Sequence, residues 1–329
     1  MTGSTRRVGI DSNPHRSERR PGVEAQGSSL YERWTRHLFL GPQGIRWAWR
    51  VLVAIALFEA FSLVLGTVLV SSPIVYRWLR SVPPGGVLTP GLLLFGEGIR
   101  TAAALLVGVA MAKFENRTFS DYRVPWTEAL GRRFWQGVPL GLGMLALLMS
   151  FLRLFRALSF LQQGIDRSTA LRNGALYGIG YVLVAFFEEA TFRGYLQTTF
   201  ETEFGFWPSA VVLSIIFGAI HLHNPGESPF GVVMAGCFGL LAAFSVFRTG
   251  SVWFAIGWHA AWDWGQSFLY GVPNSGVVAR GHLWNCALQG PNWLTGGSVG
   301  PEGSLLVLPV LLLLALVIHL LFPARPSDC

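Results

Sequence analysis

The sequence predicts an all-α, polytopic membrane protein, with about eight transmembrane helices bundled around an intramembrane polar cavity. Three observations predict it. Of 329 residues, 51% are hydrophobic and only 13% charged, about half the charged share of a soluble domain, and the mean hydropathy is +0.45. Eight stretches approach the roughly 20 apolar residues that a crossing helix needs. One of them carries the run Phe186-Phe187-Glu188-Glu189-Ala190-Thr191-Phe192-Arg193-Gly194. An ionised side chain at bilayer depth costs about 2.5–3.5 kcal/mol on insertion scales, so these three charges must be paired, hydrated or used.

Residues 1–27 are rich in Arg, Ser, Gly and Pro and are expected to be disordered. Residues 28–50 mix Tyr31, Trp34, Leu38, Phe39, Trp47 and Trp49 with Arg33, Arg36, Arg46 and Arg50, as a segment at headgroup level does. The expected division is a basic N-terminal segment (1–47), a transmembrane domain (48–322) and a short tail (323–329). No apolar core precedes residue 48, so the first span is expected to act as an uncleaved signal anchor. The eight spans lie near 50–71, 90–112, 136–157, 174–198, 208–222, 229–247, 251–270 and 304–322. Glu59 in the first would be a second polar contact to the bundle. Glu97 and Arg100 in the second are i,i+3 and read as a self-neutralising pair. The fifth is short and the seventh polar, and both hold histidine, so both are expected to be shielded from lipid by their neighbours. The stretch 271–303, rich in Gly, Pro, Asn and Ser, is the longest loop, with Trp284 and Trp293 suited to an interface. Cys237, Cys286 and Cys329 imply neither a disulfide framework nor a cysteine metal site.

Eight spans place both termini on one side. Arg6 to Arg50, Lys113 to Arg133, Arg248 and Arg325 are basic, so that side is expected to be cytoplasmic. Arg153, Arg156, Arg167 and Arg172 disagree, unless the third loop folds back to the headgroups. The net charge of +7 and pI near 9.8 then reflect basic loops at an anionic leaflet and not nucleic-acid binding. The expected location is a bacterial inner (plasma) membrane.

Three spans carry polar groups at helical spacing. Glu189 and Arg193 are i,i+4 and read as a supporting pair. Glu188 is turned about 100° away and reads as the working acid. The fifth span ends in Phe217-Gly-Ala-Ile-His221, with Phe217 one turn below the imidazole on the same face. The seventh holds His259-Ala-Ala-Trp-Asp263, where the carboxylate can orient the ring. Such a set supports hydrolysis. A buried carboxylate is a stronger base toward water, and His221 and His259 could donate to the oxyanion or the leaving amine. Two histidines and a carboxylate, His221, His259 and Asp263, are alternatively a zinc set with the remaining acid as base, although His-Glu-x-x-His is absent.

The three motifs, Glu188-Glu189-x-x-x-Arg193, Phe217-x-x-x-His221 and His259-x-x-x-Asp263, in that order, resemble the CAAX protease and bacteriocin-processing family of Abi-type intramembrane proteases, which includes the Ras-converting CAAX prenyl protease. The resemblance implies an intramembrane endopeptidase in which Glu188 activates water, assisted by His221, His259 and Asp263, with Glu189, Arg193 and Phe217 supporting. It implies a membrane-anchored peptide or protein substrate, CAAX-like or a peptide precursor. It leaves glutamate-dependent and metal-dependent mechanisms open. Asp263 stands where the Ras-converting enzyme has asparagine, and aspartate is the better metal ligand. The rival classes are a proton-coupled transporter, since intramembrane Glu, His and Asp also build proton relays, and a non-catalytic scaffold or immunity protein of the same fold.

Overall fold

The computed structural model describes residues 38–41, 44–82, 87–161 and 165–323. The expectations placed on residues 1–37, including Tyr31, Arg33, Trp34 and Arg36 at the headgroups, and those on Arg325 and Cys329, lie outside the described residues. The described residues fall into two units, divided between Arg46 and Trp47. In the first, β1 (Leu40–Gly41) pairs antiparallel with β2 (Gly44–Ile45).

The second unit is helical: α1 (Trp47–Val70), α2 (Pro73–Ser81), α3 (Pro90–Phe114), α4 (Arg132–Leu154), α5 (Arg167–Glu189), α6 (Gln197–Phe204), α7 (Phe206–Ile220), α8 (Pro229–Thr249), α9 (Val252–Trp264), the single turn α10 (Asn292–Thr295) and α11 (Val307–Leu321). A π-helical segment, Ala190–Leu196, joins α5 to α6 without a break. Six runs are long and apolar enough to cross a membrane: α1, α3, α4, α5–α6, α7 with its closing turn, and α8; α11 is a shorter apolar helix. A helix stands at each of the eight expected spans. The short amphipathic α2 was not expected; Pro73 at its first position, Arg77 and Arg80 mark it in retrospect.

Local chemistry sets the helix ends. The Thr89 hydroxyl accepts from the Leu92 amide ahead of Pro90, and Ser228 does the same for Gly231 ahead of Pro229. Asp166 accepts from the Ser168 and Thr169 amides and hydroxyls, and these donors hold its carboxyl well below the usual carboxylate range. α8 stops at Gly250 in the left-handed region, and Ser251 caps α9.

α9 is the axis of the bundle, packed against α4, α5 and α8. Val252 to Trp258 and Ala260 to Trp262 are all buried. The polar seventh span is therefore shielded by protein, as expected. The fifth is not. α7 buries Ala210, Leu213, Ser214 and Phe217 and exposes Val211, Val212, Ile215 and Ile216, because its short length comes from one polar end and not from a polar face. Glu59 is exposed on α1 and is not a contact to the bundle. Arg50, expected at the headgroups, is buried with its guanidinium 3.4 Å from Glu115. The Tyr195 hydroxyl also donates to Glu115, at 3.2 Å, which ties α1, α3 and the π segment together.

The loops gather at two ends. At one, β3 (Leu158–Phe160), after α4, pairs antiparallel with β4 (Cys286–Leu288) in the long loop before α11. Leu88, before α3, bonds the same loop at Val278 and Arg280. At the other, the Val252 amide bonds the Arg123 carbonyl, Arg123 pairs with Glu201 at 2.6 Å, and Arg248 bonds the carbonyls of His319 and Phe322. We call these the loop end and the arginine end.

α4 and α9 touch backbone to backbone. A Cβ on Gly141 would run into the Trp258 carbonyl, and one on Gly257 into the Phe134 carbonyl. Gly143, two residues from Gly141, has nothing within 4 Å of that position. Gly141→Leu is expected to lower stability by at least the about 1–3 kcal/mol of ordinary overpacking, because backbone cannot yield as a side chain does. Gly143→Leu should be neutral. Thermal unfolding of the two variants in detergent compares them.

Candidate active site

One helix supplies both acids, and the helical pitch decides where they go. α5 ends in Glu188 and Glu189 just before the π segment. Such wide turns interrupt the regular ladder and recur at functional sites. Glu189 is 1% exposed and Arg193 3%. Their side chains meet at 3.4 Å, as the i,i+4 spacing predicts. The second partner of Glu189 was not predicted: its Oε1 accepts from Nδ1 of His259 at 2.8 Å. Glu188, rotated off that line, reaches the other side of the same ring. Its Oε2 lies 3.8 Å from His259 Nε2, and Asp263 Oδ2 lies 3.5 Å from that nitrogen. The orienting hydrogen bond to Nδ1 therefore comes from Glu189, whereas the sequence pattern assigned ring orientation to Asp263. Glu188 makes no hydrogen bond to any described residue, and its side chain is 23% exposed.

Arg193 is fixed from four directions. Its Nε donates to the Gly239 carbonyl at 3.3 Å, Nη1 faces Glu189, and its guanidinium lies over the Phe217 and Phe192 rings, at 4.4 and 5.7 Å. A Cβ at Gly239 would sit 2.7 Å from Nη2 and push the guanidinium aside. Phe217 thus has two jobs: it covers Arg193, and its ring lies 4.7 Å from that of His221. The Phe217 carbonyl, freed where α7 ends, accepts from His221 Nδ1 at 2.6 Å. A carbonyl can only accept, so in the neutral ring Nδ1 carries the proton and Nε2 presents a lone pair.

All seven expected residues, Glu188, Glu189, Arg193, Phe217, His221, His259 and Asp263, line one cavity of about 310 Å³. The rest of its wall comes from the loop-end halves of α3, α8 and α9 and from loop residues including Asn224, Glu227, Asn274, Ser275 and Glu302. No arginine-end loop contributes to the wall. Glu97 and Arg100 form their pair at 2.7 Å and line the same cavity.

Sequence reasoning missed Glu302. It sits in a Pro301–Gly303 turn of the long loop and receives hydrogen bonds from the Gln266 amide and the Ser275 backbone. Trp262 in turn donates to Gln266 at 3.0 Å. Burial pushes the Glu302 carboxyl up to about 8, against the two donors that favour its charge. An acid inside a Gly- and Pro-rich loop gives no periodic signal that could have marked it.

The zinc set does not fit this arrangement. Among the described residues no group of three or more His, Cys, Asp or Glu side chains is placed to hold a metal ion. His259 has committed Nδ1 to Glu189, and the flanking Glu188 and Asp263 address the ring itself.

Residues 172–265 match the family model described as "Rce1-like: Type II CAAX prenyl endopeptidase Rce1-like". The matched segment contains all three motifs, in agreement with the family resemblance of the sequence. None of the curated proteins matches the chain.

Two outcomes are expected. Arg193→Ala leaves Glu189 buried without its guanidinium and should cost about 3–5 kcal/mol, as removing one partner of a buried pair does. Arg193→Lys should recover only part, lacking the fork that reaches Gly239. Thermal melts measure both. Glu302, raised from the ordinary 4.5 to about 8, keeps its proton in the folded chain where the unfolded chain has lost it. Stability should therefore be fullest below pH 4.5 and fall as pH rises toward 8. Glu302→Gln should flatten that slope in melts taken from pH 5 to pH 9.

Proposed function

We propose that this chain is an intramembrane endopeptidase that cleaves a membrane-anchored peptide or protein with water activated by Glu188. The family match supports a CAAX-type intramembrane protease in general. One observation carries the finer reading: the only acid of the Glu188–Glu189 pair without a hydrogen bond to the described protein faces a cavity walled by helices, 3.8 Å from an imidazole that its neighbour holds in place.

In this reading the gap between Glu188 and His259 takes the water. Glu188 removes one proton as the water oxygen attacks the peptide carbonyl. His221 Nε2, the lone-pair nitrogen, accepts the second hydrogen of the water and aims it. His259 Nε2–H, steadied through Glu189 at the opposite nitrogen, donates to the carbonyl oxygen as it becomes an oxyanion. Collapse of the tetrahedral intermediate breaks the C–N bond, and Glu188 returns its proton to the leaving amine. In this reading His221 orients the water, whereas the sequence offered it as a donor to the oxyanion or the leaving amine. The Asp263 carboxylate, 3.5 Å from His259 Nε2, attracts the proton that this nitrogen carries. No step runs through a metal.

Glu188→Gln in the purified, membrane-reconstituted chain should lower cleavage of a tethered peptide by about 10²- to 10⁴-fold, the usual worth of a positioned general base, with an unchanged melting temperature. His221→Ala should lower kcat with little effect on stability, since its ring makes one hydrogen bond, to a backbone carbonyl, and one ring contact, to Phe217. Full turnover by Glu188→Gln would overturn the mechanism. Proton-coupled flux in liposomes without cleavage by the parent chain would favour transport.

A further inference from the structure

At the arginine end, away from the candidate active site, a second cavity of about 360 Å³ is bounded by Arg132, Arg133, Gln136, Arg248, Leu321 and Phe322. Three guanidiniums share it, and among the described residues no carboxylate lines it or pairs with them. Arg248 is buried, Arg133 half-buried and Arg132 exposed at the rim, whereas other arginines held within the bundle are paired. Arg50 has Glu115, Arg123 has Glu201 and Arg193 has Glu189. Three positive charges around one hollow repel one another unless an anion sits between them.

The geometry favours an anion with several acceptor oxygens. Arg248 is fixed by its bonds to the Phe322 and His319 carbonyls, at 2.5 and 3.1 Å, which use Nε and Nη2 and leave Nη1. The Arg133 guanidinium lies over the Phe322 ring at 4.9 Å, held by its flat face with its N–H edge uncommitted. Arg132 and Arg133 open the 23-residue α4, whose cap position is Gly131 with no side-chain cap. The first amides of α4 thus face the same region with their partial positive charge. The Gln136 side-chain oxygen is buried without a partner. Turning this amide over would present its two N–H donors in place of the orphaned oxygen. Guanidinium forks and helix amides together match phosphate oxygens.

We infer that this pocket binds the phosphate of an anionic phospholipid headgroup. Its place favours a lipid over a free ion. It lies where two apolar helices, α4 and α11, end, and its rim carries an apolar residue open to the outside, Leu321 at 57% exposure. Trp135, 63% exposed, stands on the same first turn of α4, as aromatic residues at headgroup depth do. Basic pockets between transmembrane helices take such headgroups. The inference does not depend on the chain being a protease.

The test uses the full chain in nanodiscs of phosphatidylcholine, with and without phosphatidylglycerol, followed by thermal unfolding. Phosphatidylglycerol should raise the melting temperature of the parent chain by several degrees. The R132Q/R133Q variant should lose most of that rise while melting normally in phosphatidylcholine alone. The R167Q/R172Q variant, changed at exposed arginines of the loop end, should keep it. Native mass spectrometry should show phosphatidylglycerol retained in preference to phosphatidylcholine by the parent chain, a readout that stands if the first variant folds poorly. Equal rises in all three proteins would mean bulk surface charge and overturn the site. Inorganic phosphate producing the same rise in phosphatidylcholine discs would overturn the lipid as its source.

Discussion

The centre of this structure depends on one carboxylate. Glu189 is almost fully buried, and water cannot neutralise it. Its Oε1 therefore accepts both from Arg193, one turn on in the π segment, and from His259 of α9. That double attachment docks α5 onto α9 and sets the face of the imidazole. It also explains the neighbourhood of Arg193. A guanidinium at this depth needs acceptors and a surface, and it finds the Gly239 carbonyl and the Phe217 ring. Through Phe217 the same arginine reaches His221. Support and chemistry are thus one connected network: an alteration at Arg193 loosens α5, α7 and α8 together.

The second constraint is how closely α9 can be held. Without a hydrophobic driving force between helices in lipid, association relies on close packing of small residues. Gly137, Gly141 and Gly257 let α4 and α9 meet at the backbone. This contact removes α9 from the lipid, so that a helix bearing a histidine and an aspartate costs little to insert once its neighbours surround it. The glycines therefore make the polar positions His259 and Asp263 tolerable as well as fixing their depth.

Much of this was legible in the sequence, and the reasons are physical. The eight helices were readable because lipid demands long apolar runs. The Glu189–Arg193 and Glu97–Arg100 pairs were readable because both partners lie on one helix. Contacts between helices were not. Nothing in one helix's periodicity says that Glu189 meets His259, since any such statement needs the crossing geometry of α5 and α9. The same limit misassigned Asp263 as the group that orients the ring, made α7 look buried when its outer face is apolar, and hid Arg50 from its partner Glu115. Glu302 was beyond reach for a different reason. Loops carry no period, and its burial follows from how the segment after α9 folds back into the bundle.

The two ends of the bundle divide the labour. The candidate active-site cavity is walled from the loop end, by residues of the strand-paired loop and the loop-end halves of the helices. The arginines Arg123, Arg132, Arg133 and Arg248 occupy the opposite end. If charge sets the orientation, the arginine end is the anchored side, and the wall of the cavity belongs to the other half of the bundle. The arginines at 153, 156, 167 and 172, which counted against that topology in the sequence, belong to the loop end, where Arg153 already spends one donor on the Leu158 carbonyl. Such structural use of an arginine in the last turn of α4 weakens its vote on orientation. Charge counting alone therefore understates the asymmetry of this chain: what distinguishes the ends is that one cluster of arginines lines a single pocket, while the other is spread over the facing ends of α4 and α5.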